Sequence, residues 1–115
     1  MPKPERMAKI NAEIVRQMSY IIADLNNPEL SNTIITVTRA NTSQDLYQTK
    51  IYVSVFGDED KKKKVMTVLE DGKGFIRREL AHRINLRLTP EIVWVLDDSL
   101  DNSERINNLL KNIHI

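Results

Sequence analysis

The sequence predicts an α+β fold in which helices cover one face of a small sheet. Three observations support this prediction. Apolar residues recur at helical spacing from Glu5 to Leu25, β-branched residues cluster after Thr33 and Leu46, and two amphipathic segments meet at Gly72. The predicted order is α-β-β-α-kink-α-β with a short C-terminal helix. It corresponds to a three-stranded sheet in a single domain over residues 1–115.

The first helix is predicted from about Glu5 to Leu25. Its apolar residues recur every three or four positions and form one stripe, which consists of Met7, Ile10, Ile14, Met18, Ile21 and Leu25. Pro28 follows, and proline pushes the residue before it out of the helical region. The helix is therefore expected to end at Asn26 and Asn27.

Three strands are predicted. The first covers Thr33–Thr38 and is followed by turn-forming residues over 41–45. The second covers Leu46–Phe56, in which Ile51, Val53 and Val55 alternate with Lys50, Tyr52 and Ser54. Such alternation is typical of an antiparallel strand with one face on the core and the other towards solvent. The third strand covers Ile92–Leu96.

Two helices are predicted around a glycine pair, over Asp58–Leu69 and Gly74–Asn85. Their apolar faces consist of Val65, Val68 and Leu69 in the first helix and Ile76, Leu80 and Ile84 in the second. Glycine lacks a Cβ and tolerates positive φ, so Gly72-Lys73-Gly74 predicts a tight interhelical turn. A short final helix is predicted after an N-cap at Asp97-Asp98-Ser99, with Ile106, Leu109, Leu110 and Ile113 on its apolar face.

Basic residues concentrate around the predicted turn, although the net charge of the chain is only +1. Residues 61–87 contain nine Lys or Arg against three Asp or Glu, whereas residues 1–60 contain six against eight and residues 88–115 two against five. A concentrated positive field steers anionic partners even when the total charge is near zero. A basic turn with little side-chain bulk therefore favours nucleic-acid binding over catalysis.

The predicted RNA-contacting residues fall into two groups. The first lies at the turn and in the helix after it, and consists of Lys73, Arg77, Arg78, Arg83 and Arg87. The second extends the surface along the neighbouring helices, and consists of Arg6, Lys9, Lys63 and Lys64. The alternative for these residues is a solvated face held by salt bridges. The run Lys61–Lys64 is expected to act mainly as a diffuse field.

The six aromatic residues are too few to favour sequence-specific stacking on single-stranded bases. Trp94 and Phe56 occupy strand positions and are expected in the core. Tyr52, which faces outward with Lys50, is the one candidate for stacking on a base.

No catalytic site, metal site or cofactor is expected. Cysteine is absent, which excludes disulfides and thiol nucleophiles, and His82 has no placed acid or nucleophile as a partner. The turn lacks the spacing of a phosphate-binding loop. Two acidic groups resemble Mg²⁺ ligands, but both precede predicted helices, where carboxylates act as caps: Asp58-Glu59-Asp60 and Asp97, Asp98 and Asp101. Residues 1–6 lack the apolar run of a signal peptide and no stretch is long enough to cross a bilayer, so a cytoplasmic protein without membrane contact is expected.

Several short segments along the chain indicate a protein family as well as a fold class. They are Arg6-Met7-Ala8, Asn27-Pro28-Glu29-Leu30, Ser43-Gln44-Asp45-Leu46, Lys50-Ile51-Tyr52-Val53-Ser54, Gly74-Phe75-Ile76-Arg77, Leu86-Arg87-Leu88-Thr89-Pro90-Glu91-Ile92 and Asp97-Asp98-Ser99-Leu100. Through the order and spacing of these segments, over about residues 5–100, the chain resembles the ribosome-binding factor A family, which has KH type II-like topology.

The resemblance implies a non-catalytic factor that binds 16S ribosomal RNA in the small (30S) subunit. It also implies a role in late subunit assembly and rRNA processing, with importance in the cold. The family usually has Ala-x-Gly at the kink, so Gly72 is expected to loosen this turn. The chain is expected to be a monomer away from the ribosome. A second class stays open: a protein–protein interaction module that uses the open sheet face or an exposed sheet edge.

Overall fold

A computed structural model describes residues 3–86 and 88–98 of the chain. Its elements are α1 (Pro4–Asp24), α2 (Pro28–Ser31), β1 (Ile35–Thr42), β2 (Gln48–Val55), α3 (Glu59–Asp71), α4 (Lys73–Arg83) and β3 (Glu91–Leu96). The predicted α+β class and the order of the main helices and strands are confirmed. The predicted C-terminal helix lies outside the described residues.

The first helix buries the predicted stripe. Met7, Ile10, Ile14, Met18 and Ile21 are buried, and Ile22 joins them, whereas Leu25 caps the helix and is half-buried. The sequence pattern missed α2. Pro28 occupies the first turn of this short helix, and the Asn27 side chain caps it by accepting the Glu29 N–H at 2.9 Å.

The sheet has the order β1-β2-β3, with β1 antiparallel and β3 parallel to the central strand β2. Ile51, Val53 and Val55 have no exposed surface, as the alternation predicts, and they share one core with α1, α3 and α4. Ser54 departs from the prediction, because this residue of the outer face is only 8% exposed. The opposite face of β2 is therefore open at Lys50 but covered at Ser54.

Strand β1 lies further along the chain than predicted and includes part of the expected turn. The Thr42 hydroxyl donates to the Thr49 hydroxyl at 3.0 Å, and the Asn11 side chain accepts the Thr42 N–H at 3.0 Å. These tertiary contacts extend the strand through turn-forming residues. A register shift between Val37 and Arg39 marks a bulge.

The turn from β1 to β2 is organised by Asp45. Its carboxylate accepts the Ser43 hydroxyl at 2.6 Å and the Tyr47 N–H at 3.0 Å. The Ser43 hydrogen bond, followed by that of Tyr47, lowers the pKa of Asp45 below its ordinary value. The following residue, Leu46, has a φ of 65°, which places it in the left-handed region that such turns use.

The start of α3 is fixed by Gly57 and Asp58. Gly57 has a φ of 151°, and the Asp58 side chain accepts the Lys61 N–H at 2.8 Å, which confirms the capping role expected of this acid. No helix in the described residues is long and apolar enough to span a membrane.

Two side-chain contacts, one from α3 and one from α4, orient these helices on the sheet. At the start of α3, Lys62 Nζ lies 3.3 Å from a carboxylate oxygen of Asp98, just beyond the end of β3. In α4, a terminal nitrogen of Arg77 donates to the Thr89 carbonyl at 2.7 Å, just before β3 begins. The interhelical turn therefore lies towards the end of the sheet at which β3 begins.

Candidate RNA-binding surface

A single residue, Gly72, joins α3 to α4. Its N–H donates to the Val68 carbonyl and its carbonyl accepts the Ile76 N–H, each at 3.0 Å, so the backbone hydrogen bonds continue through the turn. The predicted tight turn is confirmed, but its expected reason is wrong, because Gly72 has φ −88° and ψ 5° and Gly74 lies inside α4. Neither adopts positive φ.

The loosening expected from Gly72 stays a prediction, because the structure shows only whether a side chain would fit at this position. A Cβ built on Gly72 would lie 3.4 Å from the Val68 carbonyl oxygen and 3.8 Å from Ile76 Cδ1. Both are ordinary contacts, so alanine fits the same turn. A Cβ on Gly74 would meet nothing within 4 Å and would point into open space. Folding therefore requires glycine at neither position.

The first turn of α4 has features that bind anions. Its N-cap, Gly72, has no side chain to accept the leading N–H groups, and the turn contains no acidic residue. Gly74 and Phe75 are exposed. Free N–H groups at a helix start attract phosphate, because the helix dipole is positive there.

The predicted cations near this turn differ in whether their side chains already have a partner within the protein. Lys73 Nζ lies 2.7 Å from a carboxylate oxygen of Glu70, an exposed pair that water screens. Arg77 holds the Thr89 carbonyl with one terminal nitrogen. Arg78 is exposed and has no partner among the described residues. Arg78 is thus the most available cation of α4 for a phosphate.

The other predicted residues are distributed more widely than the sequence suggested. Arg83 lies at the far end of α4 and pairs with Asp24 at 3.3 Å. Lys63 and Lys64 are exposed in the first half of α3, away from the turn. The remaining predicted residues are exposed or undescribed: Arg6 and Lys9 are exposed in the first two turns of α1, and Arg87 lies outside the described residues.

In the lysine run Lys61–Lys64, two residues form ion pairs and two are exposed. Lys61 pairs with Glu29 of α2 at 3.4 Å, which ties α3 to α2. Lys62 is only 8% exposed and pairs with Glu59 and Asp98. The sequence could not assign these partners, since Glu29 and Asp98 are more than thirty positions away.

Two of the acidic residues considered as Mg²⁺ ligands have other partners in the described part of the chain. Asp97 accepts the Thr38 hydroxyl at 2.7 Å and Asp98 pairs with Lys62, while Asp101 lies outside the described residues. His82 is exposed on α4. Across residues 3–86 and 88–98, no three His, Cys, Asp or Glu side chains are close enough to share a metal ion.

One prediction about the aromatic residues, the burial of Phe56, is wrong. Phe56, expected in the core, is 62% exposed, because it follows β2 on the side that alternates away from Val55. Tyr52 faces outward and is half-buried, as its alternation with Ile51 predicts, and Arg39 Cζ lies 4.0 Å from its ring centroid. Trp94 is half-buried against the core. Exposed aromatics are thus more frequent than the sequence suggested.

The fold and this surface define a small α+β domain with a mixed three-stranded sheet, whose interhelical turn is surrounded by cations and starts a helix without a side-chain cap. The family model described as "Ribosome-binding factor A" matches residues 6–110. The chain belongs to the ribosome-binding factor A family. Members of this family are non-catalytic, cytoplasmic ribosome assembly factors, which confirms the predicted class and location.

Curated relatives cover almost the whole chain. Ribosome-binding factor A of Clostridium novyi (strain NT) is 39% identical over 109 residues, which are 94% of this chain and 89% of the relative. That of Caldicellulosiruptor bescii is 42% identical over 113 residues, which are 96% of this chain and 86% of the relative.

Solved structures have the same fold. The solution NMR structure of a Thermotoga maritima protein described as a ribosome-binding factor A has a TM-score of 0.74 and 27% identity, covering 89% of this chain and 96% of that one. The crystal structure of the Thermus thermophilus protein has a TM-score of 0.70 and 23% identity, covering 78% and 94%. A homology model of the Thermus protein has been fitted into a cryo-EM map of its complex with the 30S subunit, and has a TM-score of 0.63 and 21% identity, covering 76% and 91%.

Proposed function

We propose that this chain binds the 30S ribosomal subunit through 16S rRNA and assists late subunit assembly and rRNA processing, with importance in the cold. Family membership supports a role in ribosome assembly. The complex of the Thermus protein with the 30S subunit supports the 30S subunit as the partner. The observation that carries the RNA-binding part is the start of α4, which has no side-chain cap and no acidic residue and which includes or is followed by the cations Lys73 and Arg78.

The proposed contact is between RNA phosphates and the first turn of α4. The positive end of the helix dipole attracts a phosphate to this uncapped helix start, while Lys73 and Arg78 add positive charge. Glycine at position 74 allows the RNA backbone to approach without meeting a Cβ. Lys9 and Arg6 extend the field along α1, and Lys63, Lys64, Arg83 and Arg87 add to it at longer range.

This arrangement acts by binding and not by chemistry. The continuous core that joins α1, α3 and α4 to the sheet makes the domain a rigid body. A rigid body that holds immature rRNA occupies space that a mature element of the subunit must fill later. Its release then becomes a step of assembly. The chain is proposed to be a monomer away from the ribosome, which sedimentation equilibrium tests.

The salt dependence of binding to 16S rRNA tests the charge part of the proposal. The logarithm of affinity should fall linearly with the logarithm of salt concentration, with a slope of about −0.7 to −0.9 for each phosphate neutralised. Arg78→Glu should weaken binding and reduce the magnitude of that slope by about 1. Arg16→Glu is the matched control, because Arg16 is an exposed cation of α1 outside the predicted surface. Equal effects of the two variants would contradict the assignment of the surface.

The protein-interaction alternative has one supporting observation. A groove of about 330 Å³ lies between the second half of α1 and the start of β1, and its lining includes Ile22, Leu30, Ile35 and Val37. Strand β1 has no strand beyond it among the described residues. Binding to the 30S subunit that survives RNase treatment and does not respond to salt would favour this alternative.

A further inference from the structure

The open face of the sheet carries a cluster that the interhelical turn does not include. Arg39 pairs with Tyr52 in the β1–β2 register, and Asn41 pairs with Lys50. These positions alternate with the buried residues of the two strands, so their side chains share the face opposite the helices. Arg39, Asn41 and Lys50 are exposed, and Tyr52 is half-buried.

Arg39 lies over the ring of Tyr52 on this face. Its Cζ lies 4.0 Å from the centroid of the Tyr52 ring, which is a cation–π contact. Neither Arg39 nor Lys50 has a carboxylate partner among the described residues. The guanidinium is thus exposed and keeps its charge. Arginine planes and aromatic rings are the surfaces on which unpaired RNA bases stack.

A second exposed aromatic residue lies beyond Ser54, which is the covered position of this face. Phe56 follows β2 and continues its alternation, four positions after Tyr52, which is about 13 Å along the strand. Its N–H donates to the Ile34 carbonyl at 3.0 Å, so its backbone is fixed to the sheet, yet the residue is 62% exposed. An exposed phenylalanine on a fixed backbone is typical of a binding surface.

We propose that the open sheet face is a second RNA-binding surface, specific for single strands. One base stacks on the outer side of Arg39, a second stacks on Phe56, and Lys50 contacts a phosphate between or beside them. The inference rests on the proposed function, since it supplies a further contact to the same kind of partner. The turn at Gly72 binds phosphates of folded RNA, and the sheet face binds unpaired nucleotides.

The charges of this face favour RNA over a protein segment. The two cations Arg39 and Lys50 lie on the neighbouring strands β1 and β2. The acidic residues Glu91 and Asp97 lie at opposite ends of β3, and Asp97 is bonded to the Thr38 hydroxyl. A polyanion with flat bases complements two unpaired cations and two aromatic rings.

NMR titration of the full chain with an unstructured 12-nucleotide oligouridine tests the proposal. The expected result is shifts at the Arg39 Nε–H and at the amides of Tyr52 and Phe56. An RNA duplex of the same length should shift residues 72–78 and leave the sheet face unchanged. Phe56→Ser and Arg39→Gln should each weaken oligouridine binding by about fivefold or more while leaving duplex binding unchanged.

Tyr20→Ser is the matched control, because Tyr20 is a 52% exposed aromatic residue on α1. Oligouridine shifts confined to residues 72–78, no binding of oligouridine, or equal losses in Phe56→Ser and Tyr20→Ser would each overturn the inference. Loss of duplex binding in Arg78→Glu, with oligouridine shifts on the sheet face retained, would support both surfaces. Duplex binding that Arg78→Glu leaves intact would contradict the proposed turn surface alone. If Phe56→Ser abolishes binding of a protein partner and leaves oligouridine binding unaffected, the sheet face binds protein and not RNA.

Discussion

Gly74→Ala should stabilise the fold and weaken RNA binding at the same time. Gly74 lies in the first turn of α4 with ordinary helical backbone, and a Cβ there would meet nothing within 4 Å. The methyl group therefore adds no clash in the folded state, and it reduces the conformational freedom of the unfolded chain. The expected gain in the free energy of unfolding is about 0.4–1 kcal/mol, or a rise in Tm of about 2–6 °C.

The same methyl group points to where the proposed phosphate lies. Forcing a methyl group into a close contact costs about 1–3 kcal/mol, so affinity for 16S rRNA should fall by about fivefold or more. Thermal unfolding followed by circular dichroism measures the first effect. Fluorescence anisotropy with labelled rRNA fragments at fixed salt measures the second.

Gly72→Ala is the matched control, two positions away. Its Cβ would contact the Val68 carbonyl oxygen and Ile76 Cδ1 and would face the protein. This variant should be stabilised to a similar extent and should bind RNA as the parent chain does. If both variants are stabilised and bind RNA equally well, no RNA backbone approaches Gly74. If Gly74→Ala is destabilised, the described geometry of the turn is wrong.

Three other perturbations have expected outcomes that follow from the structure. Gly57→Ala should destabilise the chain by about 1–3 kcal/mol in urea denaturation, because φ is 151° and the new Cβ would lie 2.9 Å from Lys61 Cγ; an unchanged midpoint would refute the strain. Ile14→Ala should cost about 2–5 kcal/mol by the same measurement, because Ile14 has no exposed surface, and a loss under 1 kcal/mol would contradict its place in the core. The pKa of Asp45 is lowered in the folded chain, so its contribution to stability is present above the unfolded pKa and is lost as the pH falls through the folded value. An NMR titration of its carboxyl carbon should show a pKa below that of an unfolded peptide, and Ser43→Ala should raise it.

The elements set by local pattern were predictable. The helical stripe of α1 and the alternation of Ile51, Val53 and Val55 each determine which face meets the core, because burial follows spacing directly. The turn at Gly72 was also found, although the glycine conformation that justified it does not occur. There the neighbouring helices and their hydrogen bonds, and not positive φ, set the turn.

The elements set by tertiary contacts were not predictable. Strand β1 extends to Thr42 because Asn11 and Thr49 satisfy its polar groups, and both partners lie in other elements. Contacts between distant residues also determine which cations of the candidate RNA-binding surface are free. The pairing of Arg83 with Asp24 joins residues 59 positions apart, which no spacing rule indicates.

For Phe56, the alternation of β2 predicted the observed exposure, whereas the residue type predicted burial. The alternation of β2 assigned position 56 to the face of Tyr52 and Ser54, which is the face opposite the core. The general preference of phenylalanine for the interior favoured the opposite assignment. The structure follows the alternation, because the backbone of β2 determines the direction of each side chain before its chemistry does. An exposed aromatic residue was thus readable from the pattern alone.

Site-specific photo-crosslinking to isolated 30S subunits tests most directly whether the start of α4 contacts RNA. A photoreactive amino acid at Phe75, which is 49% exposed in the first turn of α4, is compared with one at Tyr20 on α1. The expected result is crosslinking of position 75 to 16S rRNA, diminished by Arg78→Glu, with little crosslinking from position 20. Crosslinks from position 75 to ribosomal protein alone, or rRNA crosslinks equally strong from both positions, would contradict the account.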